Sequence, residues 1–501
     1  MSLLNRRSFL RTGLIGSLTI PASLRLASAA PGSQEADRRL AREAGRAKNV
    51  IFLVSDGMSL GTLTLAERHL RRQEGQGTHW LQLYSRPGVR RALMDTSSAS
   101  SLVTDSAAAS SAWGCGVKVA NGAINYAADG RPYDPILRLA RAAGKSTGLV
   151  STAQITHATP AGFAAQATAR SEETEIAVQY LEEEVDVLLG GGVKFFDPAL
   201  RKDKRDLYAD FARAGYQLAR TREQLLAAPV EGSTLGSASR ILGTFADGHV
   251  PYTLDHRADA TLRTEVPTLA EMSRAALHRL ALNPRGFVLQ IEGARVDHAA
   301  HANDLGGLIF DQLAFDDAVA EVVRFVEGRD DTLVIITSDH GNANPGLNGT
   351  GGSFDSRGGS YGDTQSCFDR LVQFKQTNSW IVAGLDKDSS LAQIRDRVRE
   401  ANGIALLEDE ADLFRRALRK DPSPREAYRV RNTPIVTLGQ LIANYTSVGW
   451  TGTQHTTDYT ELAAFGPGSE PIQGLVQNND LFHVMTHALG LAVPQPAKKV
   501  A

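Results

Sequence analysis

Five short strand-like runs constrain this chain more than any other feature: residues 49–54, short and unbroken in its apolar character, then 146–150, 185–189, 286–291 and 332–337. Runs without polar alternation mark strands covered on both faces, and such strands belong to parallel sheets flanked by helices. Between them, residues 136–143, 172–184, 274–282 and 304–326 read as helices. The expected fold is α/β, a doubly wound, mostly parallel central sheet with helices on both faces. A weaker run at 90–95 adds a strand, and 459–465 reads as an edge strand. Residues 194–263 read as alternating helix and loop, with His249 and His256 as structural residues.

In a sheet of this kind, ligands sit beyond the carboxyl ends of the strands. The first run ends in Ser55-Asp56-Gly57-Met58. The second leads into His157-Ala158-Thr159-Pro160, with Arg170 ten residues past the proline. The fourth delivers Glu292-Gly293-Ala294-Arg295-Val296-Asp297-His298 and then His301. Asp297 and His301 are four apart, so on a helical turn they share a face and can meet one metal. The fifth run ends in Ser338-Asp339-His340, and His455 precedes the last strand. Asp105-Ser106 opens a run of small residues, which reads as a capped helix start whose free N–H groups would hold an anion beside Ser106.

Taken singly, these residues have ordinary structural readings: Asp56 as a turn residue, Asp105 as a cap, His157 and Arg170 as solvated loop. Together, Asp56, Glu292, Asp297, His301, Asp339, His340 and His455 collect at strand ends or in loops near them. Imidazoles mixed with carboxylates suit Zn²⁺, whereas Glu292, Thr159 and Asp56 offer an oxygen set suited to Mg²⁺. Two ions about 4 Å apart can stabilise both oxygens of an in-line phosphoryl displacement. A neighbouring metal would also activate the Ser106 hydroxyl.

The sequence resembles the alkaline phosphatase family in Ser55-Asp56-Gly57-Met58, Val103-Thr104-Asp105-Ser106-Ala107-Ala108, His157-Ala158-Thr159-Pro160 with Arg170, the Glu292–His298 string, Ser338-Asp339-His340 and Gln454-His455-Thr456. These pieces stand in family order across most of the chain. The resemblance implies hydrolysis of phosphate monoesters through a phosphoserine at Ser106, with two Zn²⁺ and one Mg²⁺. It implies Asp297, His301 and His455 for the first zinc, and Asp339, His340 and Asp56 for the second, which activates Ser106. Asp56 would bridge to a magnesium held by Thr159 and Glu292. Arg170 would clamp two phosphate oxygens, and Asp105 would orient it. His157 and His298 stand where some members carry Asp and Lys. His157 would touch the third metal directly or through water, and His298 would stand behind the ligands. A phosphodiesterase with the same metal core is the nearest alternative.

Composition sets the remaining bounds. The N-terminus reads as an export signal over residues 1–29: a twin-arginine start (Arg6-Arg7), a mostly apolar stretch from Gly13 to Leu24, and Ala27-Ser28-Ala29 as a cleavage site. A periplasmic or secreted location follows. Removing that segment takes away four arginines and no acid, moving the net charge from −2 to −6. A mildly acidic chain argues against general nucleic-acid binding, and no later stretch is long and apolar enough to span a membrane. The expected partners are small phosphate esters, with a homodimer left open. Residues 30–500 read as one domain carrying an insertion at about 342–450, a cap or dimer-side decoration. Cys115 and Cys367 are either a disulfide or two buried thiols, and they are not a metal pair.

Several strings mimic other sites. Gly144-Lys145-Ser146 lacks the earlier glycine of a phosphate loop and precedes its strand. Gly190-Gly191-Gly192 reads as a turn. Gly358-Gly359-Ser360-Tyr361-Gly362 has no strand before it and no helix after it, so it is not a nucleophile elbow. His483 and His487 read as positions on an amphipathic helix.

Overall fold

The computed structural model describes residues 46–228, 240–349, 361, 363–421 and 433–493. The export segment and, apart from Tyr361, the Gly358 string lie outside these residues. Ten strands form the central sheet: β1 (Asn49–Ser55), β2 (Arg90–Asp95), β3 (Ser146–Gln154), β4 (Val187–Gly191), β5 (Gln217–Ala219), β6 (Ile241–Thr244), β7 (Phe287–Gly293), β8 (Thr332–Thr337), β9 (Thr460–Phe465) and β10 (Gly474–Gln477). Their order is β10-β2-β9-β8-β1-β7-β3-β4-β6-β5. Every neighbouring pair is parallel except the two that β9 makes, with β2 and with β8.

The apolar runs become the middle of this sheet for the expected reason. All residues of β1, β7 and β8 are buried, because helices cover both faces. Burying each such Ile, Leu, Val or Phe contributes roughly 1.5–3 kcal/mol. One face joins Val50, Phe52 and Val54 to Trp113, Phe163 and Met485. The other joins Ile51 and Leu53 to Trp80, Phe315 and Val319.

Register fixes the level of the site. Val54 of β1 lies opposite Glu292 of β7 and Thr337 of β8, while Ser151 of β3 lies opposite Glu292. The chain therefore leaves β1, β7 and β8 at nearly one height, at the same sheet edge.

Three sequence expectations need correction. Residues 460–465 are not an edge strand; β9 lies inside the sheet between β2 and β8. Residues 194–263 contain β5 and β6, too short for an apolar run to reveal. Of the triple glycine, Gly190 and Gly191 belong to β4, and only Gly192 turns the chain. A Cβ on Gly191 would lie 2.1 Å from the carbonyl of Gly248, so a close backbone approach requires the glycine inside the strand.

Among the described residues, 364–421 and 433–446 contribute five α-helices: Thr364–Asp369, Asn378–Ala383, Leu391–Asn402, Glu408–Leu418 and Pro434–Thr446. They share an apolar core of their own, including Phe368, Ile381, Val398, Phe414 and Leu438, which also takes in Leu65 and Ile309. Asn378 N–H donates to Asp304 at 2.7 Å, and Thr377 binds Asp255 through N–H and hydroxyl. Cys115 and Cys367 are both buried free thiols. His483 and His487 lie on the Asp480–Leu489 helix. Among the described residues no helix is long and apolar enough to cross a membrane.

Candidate active site

Ser106 is the first residue of α1 (Ser106–Cys115), and Asp105 is its N-cap. The Asp105 Oδ1 accepts from Ala108 N–H at 3.0 Å, while Oδ2 accepts from Gly122 N–H at 3.0 Å and from Arg170 at 3.1 Å. Capping and arginine orientation are thus two ends of one carboxylate. The other Arg170 terminal nitrogen, Nη2, lies 3.1 Å from His157 Nε2. The Ser106 Oγ is 3.3 Å from His340 Nε2, and the side chain is almost wholly buried.

The small residues of α1 let it meet α2 (Ala158–Ala164) closely. A Cβ on Gly114 would lie 2.0 Å from Gly162 O, and one on Gly162 would lie 2.2 Å from Ser110 Oγ. Ser110 Oγ also donates to Thr159 O at 2.6 Å. This contact holds Ser106 beside the helix that carries Thr159.

Strand ends supply the acids. Asp56, Glu292, Asp339 and His340 have no exposed surface. Asp297 and His301 are carried by α3 (Arg295–His301), which follows β7. Gly57 has φ of +68°, and a Cβ there would lie 2.5 Å from Asp297 Oδ1. Only glycine lets the β1 loop approach α3 this closely. A two-residue pairing of Gly341–Asn342 with His455–Thr456 brings His455 against His340, their rings stacked at 3.6 Å.

Three residue groups bring ligand atoms within reach of one ion: Asp297, His301 and His455; Asp56, Asp297 and His340; and Asp56, His157 and Glu292. Asp339 is outside the second group, yet its Oδ2 lies 3.1 Å from His340 Nε2. His301 Nδ1 and His455 Nδ1 meet the carbonyls of Thr453 at 2.7 Å and Thr104 at 2.9 Å. Nδ1 must therefore carry the proton in both neutral rings, which turns the two Nε2 lone pairs toward one another at 3.1 Å. A cation between them relieves that repulsion. Both oxygens of Asp56, Oε1 of Glu292 and Oγ1 of Thr159 are buried without hydrogen-bond partners. Buried acceptors left in this state are costly, and divalent cations fit them.

Electrostatics lead the same way. Burial, followed by Asp339, Asp297 and Glu292, pushes the Asp56 carboxyl well above its ordinary range. Burial lifts Glu292 to about 7. Burial opposes ionisation of Asp297, but His301, His455 and His340 outweigh it and hold that carboxyl well below its usual value. Four acids in one dry site call for positive charge beyond what their histidines carry.

Sequence reasoning missed two neighbours. Asn342 donates to Asp297 Oδ1 at 2.7 Å. His249, read as structural, has its ring 4.4 Å from that of His298 and 5.6 Å from that of His157. Burial, then Arg295 and Lys194, lowers His249 to about 4. Burial, then Arg295, lowers His298, and burial, then Arg170, lowers His157. Recognising β6 would have put His249 beyond a strand on the functional edge. His298 itself lies 2.8 Å from Arg295, whose guanidinium covers the Tyr252 ring at 3.6 Å.

The model of the alkaline phosphatase family matches residues 47–491. Alkaline phosphatase 4 of Bacillus subtilis (strain 168) is 29% identical over 460 residues, covering 90% of this chain and 91% of that protein. Alkaline phosphatase 3 of the same organism is 30% identical, covering 87% of each. The crystal structure of Thermus thermophilus alkaline phosphatase matches with a TM-score of 0.82 at 38% identity, covering 91% of this chain and 95% of that one. Sheet order, strand-end acids and whole-length similarity agree: the chain belongs to the alkaline phosphatase family and is a phosphate monoester hydrolase.

Proposed function

We propose that Ser106 is the nucleophile and that hydrolysis passes through a phosphoserine. The observation that carries this is the convergence on Ser106 of a helix N-terminus, the Arg170 guanidinium held by Asp105, and the His340 ring. The Ser106 oxygen attacks phosphorus as the bond to the ester oxygen breaks, and the leaving alkoxide takes up a proton. Water then attacks the phosphoserine, releasing inorganic phosphate and returning the hydroxyl. Arg170 donates to two equatorial phosphoryl oxygens, a fork that lysine lacks. Asp105 fixes the direction of that fork, and the first N–H groups of α1 face the same charge.

Asp297, His301 and His455 would hold one Zn²⁺; Asp56, Asp339 and His340 a second; Asp56, Thr159 and Glu292, with His157 beside them, one Mg²⁺. When bound, these ions supply Lewis-acid stabilisation of both the entering and the leaving oxygen. The rings of His298 and His249 stand beside that of His157, at 5.9 and 5.6 Å. Residues 1–29 are proposed to direct twin-arginine export, and the 342–450 insertion to narrow substrate choice. The test is Ser106→Ala, assayed by acid-quench trapping of labelled phosphoenzyme and by nitrophenyl phosphate turnover. The expected result is no trapped phosphoprotein and a loss of turnover of at least a thousandfold. Retained labelling would refute the assignment.

A further inference from the structure

Segment 120–125 has no place among the ligands, yet it touches the loop before Ser106, the stretch that carries Arg170 and the end of α2. Asn121 Nδ2 donates to Val103 O at 2.9 Å, and its Oδ1 accepts from Asp105 N–H at 3.3 Å. Its own N–H donates to Ser100 Oγ at 3.0 Å. Gly122, with φ of +87°, closes the turn marked by Ala123 N–H to Ala120 O at 3.1 Å. From that turn Gly122 N–H donates to Asp105 Oδ2, while Gly122 O accepts from Arg170 N–H at 2.7 Å. Ile124 and Ala167 exchange both backbone hydrogen bonds at 2.9 Å. Asn125 Nδ2 donates to Gly162 O at 2.8 Å and Ala165 O at 2.7 Å, on and just after α2.

We infer that Asn121 is a positioning residue for phosphate binding: it holds the backbone of residues 103–105 so that Ser106 and Arg170 face one phosphoryl group. This rests on the roles proposed above for Ser106 and Arg170. The argument is geometric. The loop before Ser106 is exposed from Ala99 through Leu102 and has no strand partner, so beyond the Ala99 N–H bond to Val119 O at 2.9 Å its direction depends on side-chain ties. Asn121 makes two of them, to the residues on either side of Thr104, and Thr104 O in turn meets His455 Nδ1 at 2.9 Å. One residue later, Gly122 binds the backbone and the carboxylate partner of Arg170. Nucleophile and clamp are thereby referred to one turn. Because Asn121 is itself solvent-exposed, its hydrogen bonds add little to global stability.

The experiment compares Asn121→Ala with wild type, and Asn121→Ala/Arg170→Ala with Arg170→Ala. Each is assayed for competitive inhibition by inorganic phosphate and for apparent Tm. Asn121→Ala should weaken phosphate three- to tenfold, the loss of two ordinary hydrogen bonds, with Tm unchanged within about 1 °C. In the Arg170→Ala background the same change should have less than a twofold effect, since the arginine it orients is gone. Gly122→Ala, whose Cβ meets open space but whose φ is unsuited to alanine, should weaken phosphate in the same direction. If Arg170→Ala weakens phosphate while Asn121→Ala does not, the positioning role is overturned and the clamp stands. Equal weakening in both backgrounds overturns it too. If Arg170→Ala leaves phosphate affinity at the wild-type value, the reading of the clamp falls and takes this inference with it.

Discussion

Gly114→Ala sets two opposing terms against each other at the crossing of α1 and α2. Gly114 is inside a helix, where alanine is favoured over glycine by about 1 kcal/mol. Against this, its Cβ would lie 2.0 Å from Gly162 O. Ordinary carbon–oxygen approach is about 3.3 Å, so the helices would have to part by roughly 1.3 Å. The facing backbone has little room to yield, because Ser110 Oγ already binds Thr159 O and stands against Gly162. Overpacking costs about 1–3 kcal/mol, and a backbone obstacle puts this site at the upper end. The net loss is about 2 kcal/mol, which for a fold of this size is an apparent Tm lower by about 2 °C. The functional effect should be larger. Parting the helices moves Ser106 away from Thr159, and displacements near 1 Å cost about a hundredfold in rate. Differential scanning fluorimetry with nitrophenyl phosphate kinetics reads both effects. A variant that melts higher than wild type and retains kcat would show that propensity outweighs the crossing, refuting the argument.

Prolonged chelation should abolish hydrolysis and lower the apparent Tm, with Zn²⁺ and Mg²⁺ together restoring both; activity that survives chelation would discard the metal reading of the three clusters. Arg170→Lys should lower kcat/KM more than tenfold and weaken phosphate inhibition, because one ammonium cannot serve Asp105 and two phosphate oxygens together; wild-type constants would count against the fork. Glu67 accepts from Thr78 N–H at 2.6 Å and from its hydroxyl at 2.8 Å. Burial opposes its ionisation, but Thr78 and Arg71 outweigh burial and hold the carboxyl below its ordinary value of 4.5. A depressed carboxyl stabilises the fold above the unfolded-state value and loses that contribution as pH falls through the folded one. Glu67→Gln should therefore cost about 1 kcal/mol at pH 7 and progressively less below pH 4.5 in thermal melts; a pH-independent difference would refute the assignment.

The sheet was legible wherever burial on both faces wrote itself as an unbroken apolar run. That signal exposed β1, β7 and β8 most clearly and β3 and β4 less so, and the acids just past β1, β7 and β8 marked the edge now occupied by Asp56, Glu292 and Asp339. It failed for β5 and β6, which have three and four residues and leave no run to count. With β6 unseen, His249 had no address. The place of β9 was illegible for another reason: an interior position depends on which strands arrive beside it, and β2 lies more than 300 residues away in the chain. Gly191 looked like turn chemistry because the demand for glycine comes from Gly248, a contact that local sequence cannot display. Asn121 carries no motif, since its partners are backbone atoms that any residue could offer.

The ten-stranded sheet ends in very short strands, three residues in β5 and four in β10. A long, flat outer strand would offer a row of unpaired amides to a second molecule, the usual route to edge-to-edge aggregation. Here each border exposes a stretch too brief to template a stable partner strand. Among the described residues, copies that meet at high local concentration find no long sheet border to extend.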